Sequence, residues 1–143
     1  MKNIIPLIIA VFIVITNGII GHFFAPNGIT FTPVVLTITT YLICFRLKST
    51  KVVLISLLTY IFVALNDFSI KLYSGGTHDY EGLGWVHFFL FIGLIPTSAI
   101  LSFTIFKNSK EKLSIKIFAL ILFFTLIIIH FQIFSLLGLG RSF

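Results

Sequence analysis

Charged side chains are scarce in this sequence. Asp, Glu, Lys and Arg together make up 10% of its 143 residues, whereas a typical soluble domain has about 25%. Hydrophobic residues make up 58%, which is more than a core of this size can hide from water. The composition therefore excludes a soluble globular domain and predicts an integral membrane protein.

Cysteine and acidic residues are also rare. The chain has one cysteine, Cys44, which excludes a disulfide within it. Four acidic residues stand against ten Lys and Arg, so the formal net charge is +6. The basic residues occur in short clusters between apolar runs and not on one extended face, which excludes a nucleic-acid-binding surface. The expected partners are membrane lipid and either a partner membrane protein or further copies of the chain, with no nucleic acid.

The local motifs that would name a reaction are missing. The sequence has no Gly-x-Ser-x-Gly, no His-Glu-x-x-His, and no glycine-rich loop followed by Lys-Ser or Lys-Thr. These absences argue against common hydrolase, zinc-protease and nucleotide-binding sites. Whether the chain is an enzyme stays open at this point.

Five apolar segments are long enough to cross a hydrocarbon core, which takes about 17–25 helical residues. They cover approximately residues 4–24, 30–45, 52–70, 85–106 and 115–138. Because the connections between them are short, the pattern predicts one transmembrane domain over residues 1–143, an all-α bundle of five transmembrane helices. Pro96 falls in the middle of the fourth segment, where we expect it to kink the helix and interrupt its hydrogen bonding.

The basic residues predict an orientation. With the N-terminus inside and the C-terminus outside, eight of them lie on the cytoplasmic side and two, Lys71 and Arg141, on the outer side. The cytoplasmic group is Lys2, Arg46, Lys48, Lys51, Lys107, Lys110, Lys112 and Lys116. This asymmetry follows the positive-inside rule. Together with a composition rich in Ile, Lys and Phe, it predicts a bacterial cytoplasmic (inner) membrane.

Polar chemistry is concentrated in residues 65–87, LNDFSIKLYSGGTHDYEGLGWVH. This segment holds three of the four acidic residues and two of the four histidines. The predicted orientation places it on the outer side, along with His22 and His130. An ionisable side chain inside a membrane span is costly and is a functional-site hypothesis by default.

Asp67 is the most informative residue of this segment, because it lies inside the third span. We expect its carboxylate to face the bundle interior and to have a polar partner, since an unpaired carboxylate in lipid is strongly disfavoured. Lys71 is the first candidate for an ion pair because it lies one helical turn away. His87 and His130 follow, in that order, because each needs another span to pack beside the third.

Two chemical interpretations of the outer residues are open. Asp67, His87 and His130 are candidate catalytic residues of an acid–base site, and the alternative is that they only tie helices together. His78, Asp79, Glu81 and His87 are candidate ligands of a divalent metal. The competing interpretation is an ordinary polar loop in which Asp79 caps the helix that follows.

Three functions are compatible with these features. The first is a non-catalytic subunit or accessory protein that binds a partner protein or lipid at its outer face. The alternative is a membrane-embedded enzyme or metal-binding protein with a His, Asp and Glu site at the outer leaflet. An oligomeric pore or transporter is the third. Convergence of the outer ionisable residues on one pocket favours the enzyme, and dispersal favours the accessory protein.

Overall fold

A computed structural model of the chain describes residues 4–47, 50–75 and 78–140. These residues form five long α-helices and no strand. The helices are α1 (Ile4–Phe23), α2 (Ala25–Arg46), α3 (Val52–Tyr73), α4 (Tyr80–Phe103) and α5 (Leu113–Phe134). Each is long and apolar enough to cross a membrane. The predicted all-α fold with five helices of spanning length is therefore confirmed.

Two helices begin earlier than the apolar runs indicate. α2 begins at Ala25, because Pro26 is compatible with the first turn of a helix, where its missing N–H is not needed. Pro33 then lies inside α2, and its carbonyl oxygen accepts a hydrogen bond from Thr37 Oγ1 at 2.7 Å. α4 begins at Tyr80, because the Asp79 carboxylate caps it by accepting from the Gly82 N–H at 2.6 Å.

Two features of the fourth and fifth spans differ from expectation. α4 runs without a break past Pro96 to Phe103, and the departure from α-helical bonding comes later, as a π-helical turn at Thr104–Asn108. The helix is therefore not broken at Pro96, although the proline has no N–H to donate, and the kink expected there stays a prediction. α5 ends at Phe134 and not near residue 138, because the chain then enters turns in which Gly138 and Gly140 have positive φ.

The helices run alternately up and down, so the bundle has two ends. We call them the Tyr80 end, where α3 and α5 finish and α4 begins, and the Lys51 end, where α3 begins. α2 and α3 pack together, α1 and α4 each contact both of them, and α5 packs mainly on α3. Glycines allow the closest approaches: a Cβ on Gly28 would collide with the backbone of Gly21 on α1.

α5 is the most peripheral of the packed helices. Its own side chains are mostly Leu, Ile and Phe on nearly every face. Its buried residues are only Ala119, Phe123, Ile127 and His130. These four residues recur at three- and four-residue spacing, so they form one narrow stripe. Because nearly every face of α5 is apolar, apolar contacts alone specify the rotation of α5 weakly. His130 is the one polar residue in the stripe, so its hydrogen bond helps to set the rotation of α5.

Candidate functional site

Asp67 and Lys71 form a buried ion pair on α3. Lys71 Nζ lies 2.7 Å from Asp67 Oδ2, and both side chains are 0% exposed. The pair is one helical turn apart, which is the spacing that led us to expect it. Taking the two charges out of water costs on the order of several kcal/mol per ion, so such a pair persists only with close contact and further hydrogen bonds.

His130 on α5 supplies one of those bonds. Its Nε2 lies 2.9 Å from Asp67 Oδ2, with the imidazole 1% exposed. An ionised carboxylate can only accept, so Nε2 carries the proton and donates it. Lys71 balances the charge of Asp67, and the imidazole completes the cluster as a further hydrogen-bond donor. This contact joins α5 to α3 near the Tyr80 end.

A backbone turn closes the cluster from the Tyr80 end. Lys71 Nζ donates a second bond to the carbonyl oxygen of Phe134, at 3.0 Å. The turns over residues 135–140 follow, and Gly138 lies so close to the Lys71 carbonyl oxygen that a Cβ there would collide with it. His78 fastens this turn from the other side, since its Nδ1 lies 3.0 Å from the Gly138 carbonyl oxygen and its own carbonyl accepts from the Gly140 N–H at 2.9 Å.

Aromatic side chains complete the walls around His130. The Phe68 ring lies 5.1 Å from the imidazole and the Phe134 ring 5.3 Å, between ring centroids. The Tyr60 ring meets it edge-on at 6.1 Å. Such a lining excludes water and lowers the local dielectric, which strengthens the ion pair but raises the cost of leaving either charge alone.

Some buried polar atoms in this region have no hydrogen-bond partner. Asp67 Oδ1, His130 Nδ1 and His87 Nε2 are buried and make no hydrogen bond in the described part of the chain. His87 projects from α4 and lies within electrostatic range of Lys71, Asp67 and His130. Buried polar atoms without partners are few in native proteins. These three atoms belong to two residues of the cluster and to His87, and a purely structural role leaves them without a partner.

The four expected metal ligands are not brought together. Asp79 is used as the cap of α4, His78 bonds the turn at Gly138, and Glu81 is exposed in the first turn of α4. Across residues 4–47, 50–75 and 78–140, no three His, Cys, Asp or Glu side chains are placed to hold a metal ion. The acids and histidines of residues 65–87 therefore do not converge on one metal site in the described part of the chain.

A second polar network joins the other helices. Asn17 on α1 donates its Nδ2–H to Asn66 Oδ1 at 2.9 Å, and Asn66 Nδ2 lies 3.3 Å from Thr32 Oγ1 on α2. Asn66 is the neighbour of Asp67 in sequence, but it points about 100° away around the helix. α3 thus offers one polar face to α5 and another to α1 and α2.

The Lys51 end carries a cavity that sequence reasoning missed. It measures about 810 Å³ and lies between the end of α2, the start of α3 and the connection from α4 to α5. The charge pattern indicated only basic anchors at this end. The cavity depends on how three separated stretches pack, and neither spacing nor composition signals that.

Comparison with known protein families, curated proteins and solved structures finds no match for this chain.

Proposed function

We propose that the chain is a non-catalytic accessory subunit of a membrane assembly, inserted with its N-terminus inside the bacterial cytoplasmic membrane. The eight-to-two division of basic residues supports this orientation, and it makes the Tyr80 end the outer end. The bound partner is a membrane protein that contacts this outer end.

One observation carries the proposal. Asp67 and Lys71 are 0% exposed and His130 is 1% exposed, so a substrate cannot reach the cluster without movement of the turn above it. Asp67 and Lys71 on α3 each bond α5, through His130 and through the Phe134 carbonyl oxygen, which is what a fastening between two helices requires. A polar contact that orients a peripheral helix fits an accessory protein whose surface must be presented in one shape.

The outer end has the composition of a contact surface. Tyr73, Tyr80 and Trp85 are exposed there, and Glu81 is exposed beside them. Aromatic residues are enriched in the energetically important parts of protein interfaces, and they also form belts at the lipid headgroup level. The same residues fit a partner protein and a lipid headgroup, so an experiment has to distinguish the two.

Photo-crosslinking tests the proposal. A benzoylphenylalanine replaces Tyr80, which is 75% exposed, or Ile95, which is 72% exposed on the same helix and serves as the matched control. We expect irradiated cells to yield a discrete protein adduct from position 80 and none from position 95. An adduct with a second copy of the chain identifies a homo-oligomer as the assembly. Lipid adducts alone from both positions contradict the proposal.

A membrane-embedded enzyme with acid–base chemistry at Asp67 and His130 is the second candidate. The unused atoms Asp67 Oδ1, His130 Nδ1 and His87 Nε2 favour it, because they can exchange protons with a bound group once the turn over residues 135–140 moves aside. The test is a deletion strain complemented with Asp67→Asn combined with Lys71→Met, which removes both charges together. An enzyme loses its function while the protein stays folded, and an accessory protein keeps its function in proportion to folded protein.

A further inference from the structure

The cavity at the Lys51 end has the size of a ligand site. Its volume of about 810 Å³ lies within the range of about 300–1,000 Å³ that small-molecule pockets occupy. Two exposed lysines, Lys51 and Lys110, line it. Among the described residues neither lysine takes part in an ion pair. Lys107 lies close by, with its ammonium 4.9 Å above the ring of Phe103, another lining residue.

The single carboxylate of the cavity is already engaged. Glu111 Oε1 accepts a hydrogen bond from the backbone N–H of Val52, at 3.0 Å, in the first turn of α3. The loop that carries Glu111 is itself fixed, because Lys116 Nζ donates to the carbonyl oxygens of Ser109 at 2.7 Å and Phe106 at 3.1 Å. The cavity therefore sets two lysines against one carboxylate that is held in place, and its wall is defined.

The remaining wall is apolar. Phe45 and Phe103 line one part of the cavity, and Val52 and Ile55 line another. The hydroxyl-bearing residues of the lining are Thr50, Thr104 and Ser109. A site lined both by ammonium and hydroxyl donors and by aromatic and aliphatic surface matches a molecule that has an anionic head and an apolar tail.

We propose that this cavity binds the phosphate-bearing headgroup of an anionic phospholipid. The phosphate meets Lys51 and Lys110, and the glycerol and first acyl carbons contact the apolar wall. A soluble phosphate would contact only the lysines. A lipid would contact the apolar wall as well, and for this reason we prefer a lipid. The proposal goes beyond the accessory function, which concerns the opposite end, and it requires only that the helices span a bilayer.

Lipid association in vesicles tests the proposal. The purified chain is reconstituted in phosphatidylcholine vesicles containing spin-labelled phosphatidylglycerol or spin-labelled phosphatidylcholine, and the motionally restricted fraction of each label is measured. Lys51→Gln with Lys110→Gln removes the two cavity charges. Arg46→Gln with Lys112→Gln removes two exposed charges at the same end that do not line the cavity, and it is the matched control. Because all four positions are exposed, both variants are expected to fold, which their melting temperatures check.

Phosphatidylglycerol should associate more strongly than phosphatidylcholine with the wild-type chain and with the control variant. The cavity variant should lose about fivefold of this preference for each lysine removed. Glu111→Gln should strengthen it, because the amide oxygen still accepts from Val52 while the negative charge is gone. Equal losses in the two double variants, or no preference in the wild type, would overturn the site. Displacement of the labelled lipid by millimolar glycerol 3-phosphate would overturn its assignment to a lipid.

Discussion

Removing one charge from the Asp67–Lys71 pair should destabilise the fold strongly, and removing both should restore much of the loss. In Lys71→Met the carboxylate stays buried with only the His130 N–H as a donor. In Asp67→Asn the ammonium stays buried with neutral acceptors only, the Phe134 carbonyl oxygen and the amide oxygen of residue 67. Breaking a buried pair in this way costs about 3–5 kcal/mol. Both side chains are 0% exposed, so water does not reduce the penalty in the folded state.

The unfolded reference state supports this magnitude. Lys71 lies in the last turn of α3, and it can reach the interface once α5 and the turn after it detach. The unpaired charge therefore penalises mainly the folded bundle. In Asp67→Asn combined with Lys71→Met no charge remains, and the amide of residue 67 can still accept from His130. We expect the double variant to lie within about 1–2 kcal/mol of the wild type, as neutral replacements of buried ion pairs often do.

The measurement is a double-mutant cycle of unfolding free energies in mixed micelles. Lys110→Met is the control for loss of an exposed lysine, and it should change stability by less than about 0.5 kcal/mol. A coupling energy near zero, with each single variant costing less than about 1 kcal/mol, would refute the reasoning. That result would mean that the pair behaves as though solvent reached it.

Further predictions concern the packing around the cluster and between α1 and α2. Gly138→Ala should destabilise more than Gly140→Ala. Both variants share the strain of about 1–2 kcal/mol that a positive φ imposes on alanine, but only a Cβ on Gly138 meets the α3 backbone. The Gly138 variant should therefore have the lower melting temperature. Gly28→Ala should lower the melting temperature because it forces α1 and α2 apart, whereas Gly84→Ala, with open space at its Cβ, should raise it through better helix propensity. His130→Leu should cost about 1 kcal/mol, the value of one interhelical hydrogen bond in a membrane, and should broaden cysteine crosslinking between α3 and α5.

These predictions fail in different ways. Equal melts for the two C-terminal glycine variants would show that the turn does not press on α3. A neutral effect at Gly28 would show that α1 and α2 are not in backbone contact. Unchanged crosslinking after His130→Leu would show that apolar contacts alone set the rotation of α5.

Much of the fold was predictable because lipid solvent leaves few alternatives. A membrane-spanning segment must form its backbone hydrogen bonds internally. A long apolar run can therefore be assigned as a helix from sequence alone. The pairing of Asp67 with Lys71 was equally accessible, because it depends on helical spacing within α3 alone. The ends of the helices were harder to predict. The early start of α4 follows from the Asp79 cap, which can be recognised only once the loop conformation is known.

The remaining contacts depend on packing that the sequence does not encode locally. Sequence reasoning ranked His87 ahead of His130, yet His130 makes the direct bond to Asp67 because α5 packs on α3 more extensively than α4 does. α5 is apolar on nearly all sides, so its buried stripe could not be identified from periodicity. The turn after Phe134 was missed because it continues an apolar run, and only its two glycines mark the end of the helix.

Chemical modification of the histidines by diethyl pyrocarbonate tests most directly whether the cluster is sealed. His22 is exposed and serves as the internal standard, whereas His130 is 1% exposed. On the folded chain in lipid, the account predicts rapid modification of His22 and none of His130 until the protein is unfolded. Modification of His130 at a rate close to that of His22 would contradict the account, since it would show that the Asp67 cluster opens to the surroundings as an active site does.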